Sequence, residues 1–187
     1  SSRHHHLGEA TDISTGVGNS SDVSTNGTVV EAFNAVADDQ IGTALAITVN
    51  TVEFTPTTSL LGSGPKNSGT SDFSITTNGG DATYDALVST LEYGGGTGNV
   101  NVQVGGGNLV SDDNYEIQIW FSDERANQNA RIQSYGDGEG SATGNQAHLN
   151  DQFVIGTFLL TPPTKLLAIT LEYGGGTGNV NVQVGGG

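Results

Sequence analysis

The chain contains no cysteine and no methionine. Disulfides, thiolate metal sites and cysteine nucleophiles are thereby excluded. Basic residues are scarce: 5 Lys+Arg stand against 20 Asp+Glu, for a formal net charge of −15 over 187 residues. A phosphate-binding groove needs clustered Lys and Arg, so nucleic acid is excluded as a partner. No stretch reaches the roughly 18 consecutive apolar residues of a membrane-spanning helix. Histidine is almost confined to the first six residues, and only His148 lies beyond them. No G-x-S-x-G elbow occurs, and a Ser-His-Asp triad would have to use His148, which sits among Asn145, Asn150 and Asp151 in a loop-like stretch. The expectation is a protein that is not an enzyme.

What the chain has is glycine, 29 residues of it, together with abundant Ser, Thr and Asn. Charged residues make up only 13%, against about 25% in an average domain. A surface rich in hydroxyls and amides reads as extracellular or cell-surface. The opening Ser1-Ser2-Arg3-His4-His5-His6 reads as a tag remnant. The rival, a native metal cluster, is disfavoured because adjacent strand residues point to opposite sides.

Hydrophobic periodicity is that of β-structure. In Asn99-Val100-Asn101-Val102-Gln103-Val104 three valines alternate with three amides, the pattern of a half-buried strand. In Tyr115–Phe121 the residues Tyr115, Ile117, Ile119 and Phe121 share a face. Further strands are expected at Thr28–Asn34, Ala44–Phe54, Asp72–Thr77, Ala86–Tyr93, Ala130–Ser134, Gln152–Leu160 and Leu166–Tyr173, where β-branched residues concentrate. Asn-Gly and Gly-rich clusters punctuate them, since both residues accept positive φ. Only Val30–Asp38 and Asp81–Ser89 have the pattern of a helical turn. About ten short strands at this spacing predict an all-β, antiparallel β-sandwich resembling a jelly roll. The organisation expected is a polar leader over residues 1–27, the sandwich over 28–165, and a terminal strand segment over 166–187.

That terminal segment holds the most unusual feature. Thr90–Gly107 recurs without a change as Thr170–Gly187, 80 residues on, while the preceding residues differ at once: Ser89 against Ile169, Val88 against Ala168. Natural repeats drift, so eighteen identical residues with abrupt edges imply a recent duplication, an engineered addition or a misassigned stretch of sequence. Two identical strands compete for one slot in a sheet, and the loser fills the same slot in a neighbour. Such strand exchange builds open filaments. Val180, Val182 and Val184 are the expected assembly residues, and a second copy of the chain is the expected partner.

Other candidate sites follow from residue chemistry. Trp120 is the single tryptophan, and alternation sets it on the face of Glu116, Gln118 and Ser122, opposite Ile117 and Ile119. An exposed tryptophan among amides is the platform of a sugar site. Trp120, Gln118, Arg125 and Asn127 are therefore candidate glycan contacts, and extracellular polysaccharide is the alternative partner; a second core layer is the competing role for Trp120. Calcium takes oxygen ligands in irregular loops. Asp112 and Asp113, with Asp137 and Glu139, supply such ligands without EF-hand spacing, so calcium is the one cofactor considered. Asn19 (Asn-Ser-Ser) and Asn26 (Asn-Gly-Thr) are N-glycosylation acceptors by pattern.

Asp22–Asn34 and Thr48–Thr55 resemble secreted Gly/Thr-rich β-sandwich domains of environmental bacteria, often found with PEP-CTERM-type sorting tails. Tyr115–Arg125 and Asp151–Phe158 resemble later strands of the same domains. The resemblance spans roughly residues 20–160. It implies a jelly roll, export, and an envelope or matrix setting, with no catalytic residues. After Phe158 the duplicated segment stands where the closing strand of such domains is expected.

Overall fold

The structure is a computed structural model that describes residues 5–12, 19–36, 42–57, 67–69, 81–88, 91–93, 99–104, 109–110, 113–121, 132–136, 146–147, 152–159, 167–174 and 179–186. These residues form thirteen strands and one short helix. The first strands are β1 (His5–Asp12), β2 (Thr28–Ala35), β3 (Ile47–Val49), β4 (Val52–Thr57) and β5 (Asn67–Gly69). The helix α1 (Ala82–Val88) follows, then β6 (Leu91–Tyr93), β7 (Asn99–Val104), β8 (Asn114–Phe121), β9 (Ile132–Gly136) and β10 (Gln146–Ala147). The chain closes with β11 (Gln152–Leu159), β12 (Leu167–Gly174) and β13 (Asn179–Gly186). The larger sheet runs β1-β11-β8-β13-β2-β4-β3, with β5 and β6 attached beside β13, and the smaller one runs β10-β9-β12-β7.

Most pairings are antiparallel, but β2 and β4 run parallel, from Phe33↔Thr55 to Ala35↔Thr57. The larger sheet is therefore mixed, whereas the described pairings of the smaller one are all antiparallel. The local order explains this: β3 and β4 form a hairpin, and its second arm lies next to β2. The expected single strand over Ala44–Phe54 is in fact that hairpin. Val49 and Val52 face each other across a two-residue turn. Asn50 and Thr51 both take positive φ, 46° and 70°, which matches the right-handed twist of the arms.

The expected strand over Ala86–Tyr93 is likewise divided. Residues up to Val88 are helical, and the strand begins at Leu91. Tyr84, Leu87 and Val88 are buried on one helical face, and the 3.6-residue period that places them together overrides local strand propensity. The Asp81–Ser89 helical pattern is realised as α1. The Val30–Asp38 pattern is not: β2 continues as strand to Ala35. β1 lies within the segment expected as a polar leader and pairs with β11. The expected strand Asp72–Thr77 falls outside the described residues.

Strand β8 is covered on both faces. Tyr115, Ile117 and Ile119 are buried on one, and Gln118 and Trp120 on the other. The second face meets a core of Val23, Ala32, Val49, Val52, Phe54, Tyr84, Leu87, Val88, Trp120 and Phe153. Strands β2, β3, β4, β8 and β11, with α1, all contribute to that core. Among the described residues no helix is long and apolar enough to cross a membrane.

Candidate functional site

The duplicated segment is built into both sheets, and its pairing is crossed. The first half of the early copy, β6, pairs with the second half of the late copy, β13, through Tyr93↔Asn179 and Glu92↔Val180. Strand β12, which enters the late copy at Thr170, pairs with the second half of the early copy, β7, and the pairs between the two copies run from Thr170↔Asn101 to Glu172↔Asn99. Among the described pairings neither copy joins its own two strands. Each copy also passes between sheets, the early one from the larger to the smaller and the late one in reverse. That crossing resembles a self-complementary contact in which i meets j and j meets i, without its exact equivalence.

The two crossed pairings differ in register by one residue. Asn99 faces Glu172, whereas its twin Asn179 faces Tyr93, the residue after the twin of Glu172. A one-residue shift turns a strand's side chains to the opposite face. The same sequence thus occupies two environments. As β7 it lies at the end of the smaller sheet. As β13 it lies inside the larger one, paired with β8 from Asn181↔Trp120 to Gly186↔Tyr115, and with β2 from Val182↔Phe33 to Gly186↔Thr28. The late copy therefore completes its own chain's sheet. The backbone of Val180, Val182 and Val184 lies in β13; their side chains, and those of Val100, Val102 and Val104, lie outside the described part.

Trp120 is only 3% exposed, which corrects the expectation of a partly wet tryptophan. Its ring lies 5.6 Å from Phe54 at 77°, edge to face, and 6.4 Å from Phe153. Gln118 is buried beside it. Trp120 does lie opposite Ile117 and Ile119, but that face is roofed by β3, β4 and α1 rather than by water. A glycan cannot stack on a ring sealed in this way. Arg125 and Asn127 lie outside the described residues. So do three of the four calcium candidates, Asp112, Asp137 and Glu139, while Asp113 is exposed. Among the described residues no group of three or more His, Asp or Glu side chains is placed to hold a metal ion.

The buried Gln118 instead anchors a polar clasp. Its Nε2 donates to the Asp22 carbonyl at 2.7 Å, and its Oε1 accepts the Ser24 amide at 2.9 Å. A buried amide side chain that satisfies two backbone groups avoids the cost of leaving them dry and unpaired. One step outward, Glu116 accepts from the Ser24 hydroxyl through Oε1 and from Asn26 Nδ2, at 3.2 Å, through Oε2. Asn50 Nδ2 donates to the Val23 carbonyl at 2.8 Å. These bonds fasten residues 22–26 across β8 and the β3–β4 turn.

The start of the clasp is fastened to α1. Asn19 caps the short 3-10 turn Ser20–Asp22 in a reciprocal capping box. The Ser20 amide donates to Asp81 Oδ2 at 2.6 Å, and Asp81 Oδ1 accepts from the Thr83 hydroxyl at 3.0 Å and the Tyr84 amide at 3.2 Å. Asp81 is thus the cap of α1 and the anchor of Ser20. Hydrogen bonds from the Ser20 side chain and amide, then from the Tyr84 amide, lower its pKa from 3.8 to about 2. Of the two glycosylation candidates, Asn19 serves as this cap, and Asn26 is exposed but bonded to Glu116.

The clasp was not read from the sequence. Asp81, three residues before Tyr84 and ahead of an apolar i, i+3, i+4 set, is a legible cap signal. No local pattern marks Gln118 as the acceptor of a loop amide 94 residues away. Comparison with protein-family models, with curated proteins and with solved structures finds no match.

Proposed function

We propose that this chain is a non-catalytic extracellular structural protein, a subunit of a filament, sheath or matrix, with a jelly-roll-like sandwich as its frame. Its partner is a second copy of itself. The observation that supports the reading most is the crossed pairing of two identical segments. The pairs from Thr170↔Asn101 to Glu172↔Asn99, and those of β13 with β6, join one copy to the other. Exchange of the late copy between chains therefore preserves the same pairings, and repeated exchange in one direction gives an open polymer. The acidic, lysine-poor composition and the shortage of charge fit an extracellular matrix setting.

The absence of cysteine makes a direct test available. Gln183 and Ala32 are cross-strand partners in β13 and β2. A chain carrying only Ala32→Cys and a chain carrying only Gln183→Cys are refolded together and oxidised. Exchange predicts a disulfide between the two chains, with fibrils or beaded polymers of the unmodified protein in electron micrographs. Monomers throughout, with no disulfide between the mixed chains and a ready one within the double variant, would overturn the reading.

A further inference from the structure

We infer that Asn26–Gly27 is a site of self-modification, and that its conversion releases the clasp on β8. Asn26 is exposed, and Gly27 follows it with φ 68°. A glycine offers no side chain to shield its amide nitrogen, so that nitrogen can reach the preceding carboxamide carbon. The deprotonated Gly27 nitrogen attacks Asn26 Cγ, a C–N bond forms, the bond from Cγ to Nδ2 breaks, and Nδ2 leaves as ammonia with protons from water. The product is a five-membered succinimide. Water then opens one of its two carbonyls, giving aspartate or, with the backbone rerouted through the side chain, isoaspartate. No oxidant or cofactor is needed.

The surroundings give this chemistry a consequence. Before conversion, Asn26 Nδ2 donates to Glu116 Oε2 at 3.2 Å, and the Asn26 amide donates to Ser24 Oγ at 3.3 Å. Ser24 Oγ in turn donates to Glu116 Oε1, and the Ser24 amide to Gln118. After conversion the donor is replaced by a second carboxylate within hydrogen-bond distance of the first. Two like charges at that separation repel. The isoaspartate product also adds a backbone atom between Ser24 and β2, which begins at Thr28. Both products loosen residues 24–26 from β8, and the change is irreversible because ammonia is lost.

The test uses the whole protein, aged at mildly alkaline pH and then cut before aspartate, which releases residues 22–37 as one peptide. The isoaspartate product should appear as that peptide with the mass of an amide-to-acid conversion, the aspartate product should be cut once more into 22–25 and 26–37, and the Asn26→Gln variant should not change. Hydrogen exchange at the Ser24 amide should accelerate in the aged protein. Asn26→Asp should melt below Asn26→Gln, and adding Glu116→Gln should recover the difference, since only one carboxylate then remains. Retention of Asn26 under conditions that convert the same peptide free in solution would overturn the modification. Equal melting of Asn26→Asp and Asn26→Gln, with unchanged Ser24 exchange, would overturn the release.

Discussion

The Phe54 ring meets Trp120 edge to face, with centroids 5.6 Å apart. The contact joins the β3–β4 hairpin to the middle of the larger sheet, and Phe153 packs against the same indole at 6.4 Å. Replacing Trp120 by Ala should cost about 3–5 kcal/mol, the usual range for emptying a large aromatic site, and Trp120→Phe should cost less. Urea unfolding measures this. Fluorescence of the single tryptophan should shift to the red in one cooperative step as the core opens.

Gln118→Leu tests the clasp. It keeps the volume but leaves the Asp22 carbonyl and the Ser24 amide without their partner. Each unsatisfied buried group costs about 1–3 kcal/mol. The variant should lose stability in denaturant and exchange the Ser24 amide faster, while Leu substitution at an exposed control such as Thr48 should do neither.

Thr51 is a β-branched residue at φ 70° in a turn that favours glycine. That conformation costs an L-residue roughly 1–2 kcal/mol, of which glycine's extra unfolded-state freedom takes back about 0.5–1 kcal/mol. Thr51→Gly should therefore stabilise the protein by a fraction of a kcal/mol to about 1 kcal/mol. An unchanged or lowered denaturation midpoint would show that the strain is absent or relieved elsewhere.

Asp81 sets an acid limit. Its pKa is lowered from 3.8 to about 2 by bonds from Ser20, Tyr84 and Thr83. A carboxyl with a folded pKa below its unfolded value contributes its stability fully above the unfolded value and loses it as pH falls through the folded one. The melting temperature of the wild type should therefore decline more steeply than that of Asp81→Asn between pH about 4 and about 2. Above this window the two curves should run parallel.

The strands legible in the sequence were those with strict alternation. Tyr115–Phe121 and Asn99–Val104 fall where the pattern puts them, because a period of two is set by the backbone alone. Two features were illegible for a common reason. Trp120 and Gln118 lie on a face that reads as wet, and only the arrival of α1 and the β3–β4 hairpin makes it dry. The parallel β2–β4 pair likewise depends on which strands become neighbours, and residue pattern within each strand does not encode that. The repeat was legible as a repeat, but its crossed pairing, and the single-residue offset between its two registers, are properties of the assembled sheets.

The position of β13 also bears on how the chain is made. It follows in sequence every strand that it joins, yet it separates β1-β11-β8 from β2-β4-β3. During vectorial synthesis these two ribbons emerge from the ribosome with facing, unfilled edges, and the larger sheet closes only after β13 is clear of the exit tunnel. Long-range closure of this kind is slow and leaves edges exposed. The early copy, identical in sequence to the strand still missing, is by then already synthesised.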